Sequence, residues 1–228
     1  MRREDFIKFC LTGVYIFIIP EFLFAKKDDD LPDVLLIGDS ISVGYTPFVQ
    51  ELLMGKANVF RPMLDDGKPE NCSGTTNGVN EIDRWIGHKK WNVIHFNFGL
   101  HDLKHVDPKT GEGSSNPNHP LQADIMQYSK NMKLIVRRLK STGAKLIFAT
   151  TTPVPNNTTN PMREPENVPK YNKAALKVMK NEKVTVNDLY SFALPKLKEI
   201  QRPNNVHFTE EGSRELAWEV AKKILQFL

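Results

Sequence analysis

Val34-Leu35-Leu36-Ile37-Gly38-Asp39-Ser40 is a short apolar run that stops on a glycine and delivers a serine at its carboxyl end. Four consecutive aliphatic residues bounded by turn formers predict a buried strand of a parallel sheet. In open parallel α/β sheets ligands bind just outside the carboxyl ends of the strands, and Gly38 permits the tight turn that lifts Ser40 there. The helix predicted to follow, from about 46 through 53, aims its unpaired N–H groups at the same spot. Further along the chain, apolar runs at 57–60, 93–98, 145–151 and 184–189 predict four more strands. Helical stretches are expected near 46–54, 78–87, 123–141 and 169–181, with a last helix from 214 to 228. Strands alternating with helices imply right-handed crossovers and a three-layer α/β/α sandwich around a five-stranded parallel sheet.

A Gly-Asp-Ser turn alone is no more than an ordinary helix-capping turn. The far end of the chain gives it chemistry. In Asn204-Asn205-Val206-His207-Phe208-Thr209-Glu210-Glu211-Gly212 a histidine stands two residues into a loop-to-helix junction, with Thr209 as the expected N-cap. A serine hydroxyl is a poor nucleophile until an imidazole takes its proton, so Ser40 and His207 form a minimal hydrolytic pair if the fold brings them together. Two middle segments fall at the ends of the second and third predicted strands: Asn71-Cys72-Ser73-Gly74-Thr75-Thr76 and Asn97-Phe98-Gly99-Leu100-His101-Asp102.

In this order and spacing the four segments resemble the SGNH hydrolases, the GDSL-type esterases, over nearly the whole chain after its first 25 residues. The resemblance implies a flavodoxin-like α/β/α fold with Ser40 as nucleophile and His207 as base. It also implies an oxyanion hole built from the Ser40 and Gly74 N–H groups and a side chain of the third block. Two positions depart from the family pattern. Its third block is Gly-x-Asn-Asp, and His101 stands here for the asparagine; an imidazole still offers an N–H. Its last block is Asp-x-x-His, and Asn204 stands here for the aspartate. An amide oxygen can orient the imidazole but cannot stabilise the imidazolium that forms when the base takes the proton. The expected site is therefore a Ser40–His207 dyad with Asn204 as a weakened third member, and Asp188 is held in reserve as a substitute acid. By the same resemblance the activity is hydrolysis of acyl esters through an acyl-serine. The acyl group is expected to be acetyl and the substrate a small-molecule or oligosaccharide ester, since the Thr151-Thr152-Pro153-Val154 run is like that of carbohydrate-active members. No metal or organic cofactor is implied. A non-catalytic glycan-binding member of the same fold, or a lipase or thioesterase, is the alternative.

Bulk properties agree with one catalytic domain over 26–228. The 228 residues carry a formal charge of +4, from 31 Lys and Arg against 27 Asp and Glu. So mild an excess, without a clustered basic face, gives no case for nucleic acid. Residues 1–25 read as a secretory signal peptide: Arg2 and Arg3, an apolar run over 9–19, and Ala25 before Lys26-Lys27. Leu23 is bulky for its place near the cleavage point. The run is far short of the ~20 residues of a membrane span, so a secreted or periplasmic protein is expected, with no stable span once the leader is removed and its oligomeric state open. Cleavage would leave Cys72 alone, with no intramolecular disulfide to form. His101 and His105 with Asp102 have partial metal-ligand character, but no third histidine or cysteine pair stands at a familiar spacing. The segments 107–119 and 153–166, rich in Gly, Ser, Asn and Pro, are expected to be loops that wall the substrate site.

Overall fold

The computed structural model describes residues 30–158 and 160–228, so the predicted leader over 1–25 lies outside the described residues. Each predicted strand forms: β1 Asp33–Ile37, β2 Asn58–Phe60, β3 Val93–Phe96, β4 Lys145–Ala149 and β5 Thr185–Asn187. All four pairings are parallel, in the order β2-β1-β3-β4-β5. Inner strands carry the near-continuous aliphatic and aromatic runs, with Val34, Leu36, Ile37, Ile94, Phe96, Ile147 and Phe148 fully buried, because helices cover both sheet faces. The chain leaves β1 toward β2 on one side and then crosses back to β3 on the other. That reversal makes the β1/β3 carboxyl ends the switch point where a ligand crevice forms.

The helices are α1 Ser40–Leu52, α2 Thr75–Ile86, α3 Ile125–Lys140, α4 Asn167–Glu182, α5 Leu189–Ala193, α6 Leu197–Ile200 and α7 Glu210–Ile224. α1 packs against α7, while α2, α3 and α4 pack in a row. The pleat of β3 serves both groups. His95 meets Tyr45 of α1 edge-on, and just past the strand Phe98 stacks on Trp85 of α2.

Three features depart from the sequence expectation. α1 begins at Ser40 rather than near 46, because the Asp39 carboxylate caps it, accepting the Ile41 N–H at 2.9 Å, and because Ile41, Tyr45 and Val49 recur at helical spacing into the core. Pro47 sits inside this helix and forgoes a single N–H bond. The short α5 and α6, joined by a 3₁₀ turn over Leu194–Lys196, fill a stretch with no predicted element. Thr209 caps α7 as expected, its hydroxyl accepting the Gly212 N–H at 3.0 Å, and this cap starts the helix at Glu210 rather than at 214. Gly212 is required there: a Cβ would lie 2.1 Å from the Ile200 carbonyl oxygen.

Candidate active site

Ser40 is the first residue of α1, directly after β1 and its capping aspartate. Its N–H, like those of any first helical turn, has no intrahelical acceptor. Gly38 makes this junction possible, since a Cβ there would stand 2.9 Å from the Ser42 hydroxyl. The serine thus projects from a helix N-terminus at the carboxyl end of β1.

His207 reaches it from the loop before α7, with Nε2 2.9 Å from the Ser40 hydroxyl oxygen. Behind the ring, Nδ1 lies 2.7 Å from Asn205 Oδ1, and the His207 backbone N–H donates to the same atom at 2.9 Å. Two nitrogens converging on one atom identify it as the amide oxygen, so Nδ1 carries the imidazole proton. Nε2 is then the acceptor that faces the Ser40 O–H. The structure thus places Asn205, and not the expected Asn204, behind the imidazole. An Asx turn returns the side chain of residue i to the N–H of i+2, which selects the asparagine two before the histidine. Asn204 precedes that turn with a left-handed backbone, φ 51°, and borders the cleft without bonding His207. Asp188 does not substitute for it. Its carboxylate caps α5 through Ser191 and accepts the Thr150 hydroxyl at 2.9 Å.

Ser40, His101 and His207 line one cleft of about 590 Å³. Burial, with help from the nearby Lys104 and Arg163 cations, pushes the His101 imidazole down to about 3. It is a neutral ring at physiological pH and offers a single N–H, as the oxyanion role requires. His207 is lowered too, by burial first and then by Arg202 and Arg163. A base kept below its ordinary range is unprotonated at neutral pH and ready to accept.

Gly74 is the N-cap of α2, and its N–H has no acceptor among the described residues. The second block is fixed to the third by Asp102, which accepts the Thr75 N–H at 2.8 Å and the Thr75 hydroxyl at 2.5 Å. A Cβ on Gly74 would come within 3.1 Å of the other Asp102 oxygen and 2.7 Å of the Gln122 amide nitrogen, so a larger residue here would crowd both side chains. Asp102 is therefore a positioning residue between Gly74 and His101, a role the sequence did not disclose. His105 is likewise committed elsewhere, with Nδ1 2.6 Å from the His119 carbonyl oxygen and Nε2 3.1 Å from Glu164 Oε2.

Of the two predicted wall loops only 153–166 borders the cleft, through Asn157, Thr158, Asn160, Pro161 and Arg163. The 107–119 loop braces it from behind: Ser114 accepts the Met162 N–H at 2.8 Å, and Gly113 lies against Pro161. Cys72 is buried, and desolvation pushes its thiol up to about 12, which removes it as a nucleophile.

Residues 36–215 match the family model described as GDSL-like lipase/acylhydrolase. No curated protein matches the chain. Among solved structures it resembles a lipase/acylhydrolase from Enterococcus faecalis at 18% identity and a TM-score of 0.67, over 85% of this chain and 95% of that one. It resembles an acetylxylan esterase from Geobacillus stearothermophilus at 16% identity and a TM-score of 0.65, over 85% and 94%. A carbohydrate esterase family 3 protein from Talaromyces cellulolyticus follows at 17% identity and a TM-score of 0.62, over 86% and 97%. At such identities the structures establish the shared fold.

Proposed function

The chain belongs to the GDSL-like lipase/acylhydrolase family and is a carboxylic ester hydrolase of that type, and from this we propose that it removes acetyl groups from a carbohydrate, with Ser40 as the nucleophile. One observation carries the mechanism: the 2.9 Å contact between Ser40 Oγ and His207 Nε2, with Asn205 fixing the tautomer behind it. Ser40 Oγ attacks the acyl carbonyl while its proton passes to His207 Nε2. The carbonyl electron pair moves onto oxygen, where the N–H groups of Ser40 and Gly74 and the His101 side chain receive it. Collapse of this intermediate expels the alcohol, which takes the proton from His207. Water, activated by the same imidazole, then releases acetate from the acyl-serine.

The acetyl and carbohydrate assignments rest on two supports. The larger cleft at Ser40 is walled mainly by asparagines and cations, with Leu100, Pro161 and Val206 as its scattered apolar members. The apolar side chains Ile41, Phe48 and Phe208 line a smaller pocket of about 320 Å³ on the other side of the Ser40–His207 pair, a volume that suits a short acyl group. Two of the structural relatives named above carry acetylxylan or carbohydrate esterase in their descriptions. The sequence of the leader favours export, and no described helix is long and apolar enough to cross a membrane. The test is acetate release from acetylated xylo-oligosaccharides and from a small aryl acetate, by the mature protein and by its Ser40→Ala form. Release by the first and not the second is expected. Equal release by both would overturn the serine mechanism.

A further inference from the structure

The cleft beside His101 contains two charged side chains besides the histidines, Lys104 and Arg163, and both are cations. Arg163 is only 6% exposed. Its Nε donates to the Leu100 carbonyl at 2.8 Å and Nη1 to the Pro161 carbonyl at 3.3 Å, while Nη2 meets no acceptor among the described residues. Among those residues neither cation has a carboxylate within 4.0 Å, and the acid that acts on Arg163 at longer range is Asp39, itself buried and pushed up to about 6. Lys104 is half-buried, and its ammonium is held down by burial and then by Arg163, with Glu112 and Asp102 opposing them from beyond ion-pair distance. Buried charges are ordinarily paired, because an unpaired one loses its hydration with no compensation. Here two cations converge beside Ser40 with no protein carboxylate in ion-pair contact with either, among the described residues.

We propose that the substrate supplies the anion: an acetylated sugar with an oxyanion substituent, carboxylate or sulfate, on the alcohol side of the ester, held by Arg163 Nη2 and the Lys104 ammonium. A guanidinium fixed by two carbonyls keeps its free N–H bonds pre-aimed, which suits a planar or tetrahedral oxyanion. This inference rests on the esterase reading of the same site and names the class of its substrate.

The test compares kcat/KM for acetate release from four probes. They are an acetylated galacturonic-acid oligosaccharide, the same oligosaccharide with its carboxylates reduced to alcohols, an acetylated sulfated oligosaccharide and an acetylated xylo-oligosaccharide. One anionic probe is expected to exceed the neutral ones by roughly tenfold or more, with the gap narrowing as salt rises. Which anionic probe leads separates a carboxylate substrate from a sulfated one. Lys104→Met should cut the anionic-to-neutral ratio about tenfold, and Arg163→Lys should cut it as well, because the fork is lost. Lys177→Met, an exposed lysine on α4, should leave the ratio unchanged. If Arg163→Lys fails to fold, Lys104→Met alone decides. A wild-type ratio of one or less, or a ratio that Lys104→Met does not move, overturns the anion subsite while the esterase reading stands. Failure of wild type on all four probes and on the aryl acetate removes both.

Discussion

The two halves of the reacting pair are held in opposite ways. Ser40 stands on a buried frame: Leu36 and Ile37 of β1, the enclosed Asp39 cap, and α1, which packs on α7. His207 comes from the loop over 202–208, where Arg202, Pro203, Asn204 and Asn205 are exposed. That loop is closed mostly by bonds within itself: the Arg202 N–H donates to the His207 carbonyl at 2.9 Å and Arg202 Nε to the Phe208 carbonyl at 3.1 Å. Gln201 Nε2 donates to the Pro153 and Val206 carbonyls at 2.9 and 3.1 Å, and the imidazole itself is oriented by the exposed amide of Asn205. The nucleophile's position is thus part of the folding core, whereas the base's position depends on a local turn. Changes around Ser40 should register first in stability, and changes around His207 in rate and pH dependence.

The largest expected effect tests whether the two halves act as one unit. Ser40→Ala and His207→Ala should each lower kcat on an aryl acetate by about 10⁴-fold or more, and the double variant should be little worse than either, since removing one member already disables the other. Neither side chain fills the core, so both variants should keep the wild-type thermal transition. Additive losses would mean that the 2.9 Å contact is not the reacting pair.

Next in size is His101. Its ring is neutral and shares the cleft, so His101→Ala should lower kcat about 10²–10³-fold with little change in KM, the loss typical of one oxyanion donor. His101→Asn should recover much of it. A ring pushed to about 3 contributes no ionisation between pH 5 and about 9, so the acidic limb of the profile should survive both substitutions unchanged. A raised KM at constant kcat would move His101 from the oxyanion to the substrate's binding contacts.

How much of this is legible in the sequence follows from how local each feature is. The buried parallel strands announce themselves as apolar runs, because nothing but apolar side chains can face helices on both sides. The serine and histidine are legible as strand-end and helix-start residues. The start of α1 is not, because Ser40, Ser42 and Gly44 are weak helix formers and the helix owes its first turn to the Asp39 cap and to packing of Tyr45. Nor does a spacing rule find Arg163, which is placed from a long loop by bonds to Leu100 and Pro161. The choice between Asn204 and Asn205 turns on a single left-handed residue. Neighbouring asparagines tolerate that conformation equally, so the sequence leaves the register open.

The smallest effect, and the sharpest test of the contrast between core and loop, lies in that asparagine pair. Asn205→Ala removes the oxygen that accepts both the His207 N–H and its Nδ1–H, so kcat should fall about tenfold, in line with loss of one oriented hydrogen bond. Asn204→Ala should cost no more than about twofold, since Asn204 does not touch the ring. Carboxylates make the comparison directional. In wild type the His207 pKa is depressed below its ordinary value of 6.5, so the acidic limb of kcat/KM should lie below pH 6.5, with activity lost as pH falls through it and the imidazole becomes protonated. Asn205→Asp places a negative charge against Nδ1 and stabilises the imidazolium. The His207 pKa should rise, the acidic limb should move to higher pH, and kcat on the plateau should increase, because the same charge stabilises the imidazolium formed in the transition state. Asn204→Asp, farther from the ring, should shift the limb much less. pH–rate profiles of the four variants decide the matter: a gain in Asn204→Asp that exceeds the gain in Asn205→Asp would show that the 202–208 loop rearranges to place residue 204 behind the imidazole during turnover.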